Sequence, residues 1–264
     1  MKMAEDTLNS SQKSVYAVGP IIHNDQAMEK LTSKGLLIEE DLERIKKKSS
    51  AIIRSHGLPK HFYDRMVDKE ICIVDATCPF VKKIQNIVFE ASNKGYEVII
   101  IGDKSHPEVI GLSGWIQKEH TVLNTVEEAL EFTGLFNKKY IVVVQTTFKL
   151  EIYTVIEKIL GDKIKDVEFH NTICYATKQR QESAESLAQK VDAMIVIGGK
   201  KSSNTLKLAE ICRKHCKTIL VETIKDLDAS EIRTLEYIGI VAGASTPDFI
   251  IEEVHDYIVN KIKV

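Results

Sequence analysis

Asn171-Thr-Ile-Cys174-Tyr-Ala-Thr, a helical stretch, and then Met194-Ile-Val-Ile-Gly198-Gly-Lys-Lys-Ser202-Ser203-Asn204 decide the fold, because the same order occurs once before. The earlier copy reads Asp75-Ala-Thr-Cys78, a helical stretch, and Val98-Ile-Ile-Ile-Gly102-Asp-Lys-Ser-His106-Pro107-Glu108. In both, 24 residues separate the cysteine from the glycine ending the apolar run, and 28 separate it from the polar residue beyond the loop. A fixed internal period marks a repeated supersecondary unit. Each copy is followed by another apolar run with a small polar end, Val144-Gln145-Thr146-Thr147 and Ala242-Gly243-Ala244-Ser245-Thr246. A third, shortened copy comes first: Tyr16-Ala-Val-Gly19-Pro-Ile-Ile-His23-Asn24, then Ile52-Ile53-Arg54-Ser55-His56-Gly57. Counting back the same interval from Gly19 puts its cysteine upstream of Met1, so this copy is expected to lack one.

Working outward, β-branched runs of three to five residues recur at 15–18, 51–53, 71–74, 98–101, 141–144, 194–197, 218–221 and 238–242. Runs that are apolar throughout suit strands covered on both faces. Helical spacing fills 81–94, 151–160, 179–190 and 206–215, and strands alternating with such helices predict βαβ units on parallel sheets. The expected architecture is therefore α/β, with three similar, mostly parallel modules over 1–77, 78–172 and 173–264 in a pseudo-threefold arrangement around a central site. In α/β sheets ligands gather beyond the carboxyl ends of strands, which is where the polar repeat residues lie.

The chain of 264 residues is 44% hydrophobic and 28% charged with a formal charge of -2, an ordinary globular balance that offers no basic footprint for nucleic acid or an anionic membrane. No apolar run approaches the roughly 20 residues needed to span a bilayer, and the first residues lack a signal-peptide core, so a cytoplasmic location is expected. Five cysteines without a CxxC pair do not read as a disulfide framework.

Cys78 and Cys174 hold equivalent places in the repeat. A lone cysteine is most simply a small buried hydrophobe, but packing alone need not repeat the same residue at the same place. Three converging thiolates with one open metal position would suit an iron–sulfur cluster that binds substrate. Cys72, in a strand expected to be buried, and Cys212 and Cys216, on one helix face, have no repeat counterpart and read as structural. His23, His56 and His106 each follow a strand, where an imidazolium could meet a phosphate. Ser202, Ser203, Asn204 and Ser245 add neutral donors at matching places, although any one alone could simply cap a loop. Glu108, fixed beside His106 by Pro107, is either a proton relay or a carboxylate serving the following helix N-terminus. His61, His120, His170, His215 and His255 lack this placement and are expected at the surface.

These motifs resemble the 4-hydroxy-3-methylbut-2-enyl diphosphate reductase (IspH/LytB) family over nearly the whole chain. The resemblance rests on Ile22-His23-Asn24, Ser55-His56-Gly57, Asp75-Ala-Thr-Cys78-Pro79, His106-Pro107-Glu108, Gln145-Thr146-Thr147, Ile173-Cys174-Tyr175-Ala176-Thr177, Ser202-Ser203-Asn204 and Ala242-Gly-Ala-Ser245, in order. It implies the last step of the methylerythritol phosphate route to isoprenoids, in which the allylic hydroxyl is removed with two electrons and two protons to give isopentenyl and dimethylallyl diphosphate. It also implies three α/β modules around a [4Fe-4S] cluster on three cysteines, two of them matched by Cys78 and Cys174. His23, His56, His106, Ser202, Ser203, Asn204 and Ser245 match the diphosphate set, Glu108 the proton donor, and Thr146 a residue near the substrate hydroxyl. A ferredoxin or flavodoxin is the implied electron donor. The family's first strand and its cluster cysteine have no match here. A non-catalytic diphosphate-binding homologue and a thiol-nucleophile hydrolase are the competing readings; the second leaves the paired equivalent cysteines unexplained.

Overall fold

A computed structural model describes residues 2–21, 25–135, 137–200, 202–244 and 246–261. Helices and strands alternate: α1 (Lys2–Ser10), β1 (Val15–Ala17), α2 (Asp25–Ser33), β2 (Leu36–Ile38), β3 (Ser50–Ile53), α3 (Lys60–Asp68), β4 (Cys72–Asp75), α4 (Pro79–Asn93), β5 (Glu97–Ile101), α5 (Pro107–Ser113), β6 (Thr121–Leu123), α6 (Val126–Glu131), β7 (Tyr140–Val144), α7 (Leu150–Lys163), β8 (Val167–His170), α8 (Tyr175–Ala188), β9 (Ala193–Ile197), α9 (Ser203–Arg213), β10 (Lys217–Val221), β11 (Ile238–Ala242) and α10 (Asp248–Lys261). The strands form three sheets, ordered β2-β1-β3-β4, β6-β5-β7-β8 and β10-β9-β11. Every strand pair in them is parallel. The α/β class and the three parallel modules expected from the repeat are thus present.

Alternation explains why the strand runs are apolar throughout. In the second sheet Ile99, Ile101, Val142 and Val144 face Tyr153, Ile156 and Leu160 of α7. Their neighbours Val98, Ile100, Ile141 and Val143 face Ile84 and Val88 of α4 and Val109 and Leu112 of α5. Side chains one apart along a strand point to opposite faces, so a sheet covered on both sides needs an unbroken run. Burying each such side chain contributes on the order of 1.5–3 kcal/mol. The third sheet repeats the scheme, with Ile195 and Ile197 against Ile250 and Val254 of α10 and Met194 and Val196 against Ala184 of α8 and Leu208 of α9.

The chain divides into two compact units, one holding α2 and the residues from Tyr175 onward, the other residues 3–21 and Gly35–Cys174. The first two sheets and both repeat cysteines therefore lie in one unit, and the third sheet in the other. Within the latter the α2 ammonium of Lys30 sits 3.6 Å from the Phe249 ring centroid. Among the described residues no helix is long and apolar enough to cross a membrane.

Three expectations need correction. Cys72 is exposed rather than buried, because it is the first residue of β4, an edge strand. His120 is half-buried, with its Nε2 2.8 Å from the Ser113 hydroxyl, and His170 is half-buried as the last residue of β8.

Candidate functional site

Both cysteines are set by the same local device. Asp75 Oδ1 accepts the amide of Thr77 at 3.0 Å, and Asn171 Oδ1 accepts the amide of Ile173 at 3.2 Å. Such Asx turns reverse the chain as it leaves a strand. The Cys78 amide then donates to Ser55 O at 2.9 Å and the Cys174 amide to Thr146 O at 2.7 Å, each acceptor lying beyond the end of the neighbouring strand. Cys78 is the N-cap of α4 with Pro79 at its first position, and Tyr175 opens α8 directly after Cys174. Both thiols are half-buried and free. Burial works to raise the Asp75 carboxyl, but hydrogen bonds from Lys82 and Thr77 outweigh it and hold the group below its ordinary value. Lys82 Nζ lies 2.7 Å from Asp75 Oδ2.

The loop after β3 carries His56. It closes through the Gly57 amide to Arg54 O at 3.0 Å, and Gly57 has φ +72°, a backbone state that side chains with a Cβ resist. A methyl there would also strike the Gln85 amide. The loop after β5 carries His106. Asp103 Oδ1 accepts the amide and hydroxyl of Ser105, and the His106 amide returns to Asp103 O at 3.0 Å. His106 caps α5: its Nδ1 accepts the Glu108 amide at 3.1 Å, so in the neutral ring the proton is on Nε2. The rings of His56 and His106 meet edge to face, 5.6 Å between centroids.

Glu108 is only 2% exposed although it opens a helix. Its carboxylate turns away from the α5 amides: Oε1 accepts the Thr146 amide at 2.7 Å and Oε2 the Thr146 hydroxyl at 2.6 Å. That pairing spans 38 residues of sequence and decides against the helix-terminus reading. Burial pushes the Glu108 carboxyl up, and the two Thr146 bonds offset part of the rise. A carboxyl kept protonated closer to neutrality, bonded to a hydroxyl at a strand end, can pass a proton to a group placed beside that hydroxyl. Gln145, for which the sequence reading had no role, braces both neighbours. Its Oε1 accepts the Asp103 amide at 3.0 Å and its Nε2 donates to the Thr147 hydroxyl at 2.9 Å. Its place at the end of β7, beside Thr146, was the available signal.

In the other unit, Ser202 caps α9, its hydroxyl accepting the Thr205 amide at 3.4 Å, and Ser203 is the first residue of that helix. Both amide atoms of Asn204 are buried, and neither has a hydrogen-bond partner among the described residues. The Thr205 hydroxyl, which the sequence reading passed over, is in the same state. Buried polar atoms cost free energy unless bonded; the Thr205 hydroxyl lies against Gly198 and Gly243, where a methyl on either would strike it. His23 and Ser245 lie outside the described residues.

Among the described residues no cluster of three or more histidine, cysteine or carboxylate groups stands ready for a metal ion. Cys78 and Cys174, matched in motif and in hydrogen bonding, fit two ligand positions of an iron–sulfur cluster; they do not complete the set.

The comparisons with known proteins agree over nearly the full length. The 4-hydroxy-3-methylbut-2-enyl diphosphate reductase of Clostridioides difficile (strain 630) is 48% identical over 262 residues, covering 98% of this chain and 93% of that protein. The enzyme of the same name from Caldanaerobacter subterraneus subsp. tengcongensis is 45% identical, covering 100% and 91%. A solved structure of (E)-4-hydroxy-3-methyl-but-2-enyl diphosphate reductase, described as the terminal enzyme of the non-mevalonate pathway, superposes with a TM-score of 0.82 at 39% identity, covering 98% of this chain and 92% of that one. The Plasmodium falciparum reductase does so at 0.79 with 28% identity, covering 98% and 83%. Since the family model described as LytB protein also matches residues 1–259, the strand-end motifs and the sheets that present them have a common explanation: the chain belongs to the LytB family.

Proposed function

We propose that the chain is a 4-hydroxy-3-methylbut-2-enyl diphosphate reductase that removes the allylic hydroxyl and yields isopentenyl and dimethylallyl diphosphate. The observation that carries the chemistry is the buried Glu108–Thr146 pair. Replacing the hydroxyl by hydrogen takes two electrons and two protons: one proton ends on carbon, and the other lets the oxygen leave as water. The Thr146 hydroxyl orients the substrate hydroxyl, and Glu108, its carboxyl raised by burial, supplies the proton directly or through Thr146. His23, His56, His106, Ser202, Ser203, Asn204 and Ser245 bind the diphosphate, the imidazoles as N–H donors. In His106, Nδ1 accepts the Glu108 amide, so the donor of its neutral ring is Nε2–H.

The family's [4Fe-4S] cluster supplies electron transfer when bound, and Cys78 and Cys174 are assigned as two of its ligands. The described residues leave that ligand set incomplete. A small ferredoxin or flavodoxin is the proposed electron source and the cytoplasm the proposed location. A non-catalytic homologue is disfavoured, because the reductases match across the length of the chain and the proton-handling pair is intact. The test is anaerobic turnover with an artificial reductant, using the chain joined behind a segment that supplies a third cluster cysteine. Both five-carbon diphosphates are expected. Cluster-loaded protein that binds the substrate without forming either product would overturn the assignment.

A further inference from the structure

The separation of His56 and His106 needs a structural cause, since they sit on loops of two different sheets. The cause lies on one face of α5, where Gly111 and Gly114 are spaced i, i+3. A methyl built on Gly111 would stand 3.3 Å from His56 O and 3.5 Å from Gly57 O. One built on Gly114 would stand 2.6 Å from Pro59 Cα. The helix therefore rests directly on the backbone of the loop that carries His56. Polar bonds fasten the contact: Trp115 Nε1 donates to Leu58 O at 2.9 Å, and the Lys60 amide donates to Gly114 O at 3.3 Å. The Trp115 ring is wedged edge-on against Tyr63 of α3 and Phe89 of α4. The N-terminal end of the same helix carries His106 and Glu108.

We infer that Gly111 and Gly114 are positioning residues: by seating α5 on the 56–59 loop they set the spacing of the His56 and His106 imidazoles for their anionic ligand. The inference rests on the diphosphate reading of those histidines and adds the device that spaces them. Gly114→Ala meets backbone and is too severe a probe. Gly111→Ala is graded, since a contact of 3.3 Å is relieved by a shift of a few tenths of an ångström, taken up between the helix and the His56 carbonyl.

The test is calorimetric titration of the purified chain with inorganic diphosphate, together with the nuclear Overhauser effect between the two imidazole rings. Gly111→Ala should weaken diphosphate binding about fivefold, the loss of one ordinary hydrogen bond, and should reduce the inter-ring effect. Leu112→Val, a core change on the same helix, should lower the melting temperature and leave both readouts unchanged. Equal weakening by the two variants would show general loosening and overturn the inference. So would wild-type binding and an unchanged inter-ring effect in Gly111→Ala. If wild-type protein does not bind diphosphate, the anion reading falls, and the inter-ring effect alone decides whether the glycines set the spacing.

Discussion

The second and third sheets are built alike and finished differently. In the second, β7 lies between β5 and β8, and all five of its residues are buried. In the third, β11 occupies the matching place beside β9 but has no outer neighbour among the described residues, and only its glycine is fully buried. The loops differ in the same sense. Beyond β7, Thr146 and Gln145 have internal partners; beyond β9, Asn204 and Thr205 keep buried polar atoms without one. Similar strand composition thus gives different burial according to the neighbour. On the proposed reading, the closed network handles the proton and the Asn204 loop binds the anion.

The widest gap between the regions should appear in turnover. Glu108→Gln keeps the size of the side chain and removes its proton, so in the chain supplied with a third cluster cysteine, turnover in steady-state assays should fall about 10²–10⁴-fold while diphosphate affinity stays nearly constant. Unchanged turnover would reduce Glu108 to a structural group. The cysteines come next. With equivalent thiols after β4 and β8 and none described beside β11, anaerobic reconstitution of this chain should give iron well below the complement of about four per chain for an intact cluster. Near-full iron would show that another group completes the set.

Stability should then separate the two loops in opposite directions. Thr146→Val strips a hydroxyl from a buried carboxylate and should cost about 1–3 kcal/mol in urea unfolding. Asn204→Leu removes an amide that has no described partner, so it should leave the unfolding midpoint unchanged or raised, while weakening diphosphate binding about tenfold. A destabilised Asn204→Leu would mean that the amide is satisfied within the protein. The smallest effect concerns pH. Because the Glu108 carboxyl is raised above its ordinary value, the folded state favours its protonated form. Its contribution to stability is full below the ordinary carboxylate range and is lost as pH rises through the raised value. Wild-type protein should lose stability relative to Glu108→Gln across that window, as followed by thermal melts in a pH series.

Much of this contrast was legible in the sequence. The central strands were readable because both faces are covered, and the repeat intervals located the strand-end loops. The strands without such a signal, β2, β6 and β8, all lie at sheet edges. Val167-Glu-Phe-His170 and Thr121-Val-Leu123 are short and partly exposed, so they lack the unbroken apolar run that marks a central strand. Cys72 was misjudged for the same reason. Glu108 could not be assigned from local sequence, since its deciding partner, Thr146, is distant in the chain. The α5 glycines were silent because close backbone approach leaves no mark in hydrophobic periodicity.

The cysteines also sit at joints of the architecture. β4 belongs to the first sheet, whereas α4, which Cys78 caps, packs on the second. β8 belongs to the second sheet, whereas α8, which follows Cys174, packs on the third. In recombination between relatives, crossovers at these two residues would leave every strand with its own sheet and α3 to α10 with the cores they cover, while α2 would part from the unit it belongs to. A crossover at Gly102 would part α4 and β5 from β7, on which they pack. Productive chimeras should therefore break at the thiols, where one inherited block hands over to the next.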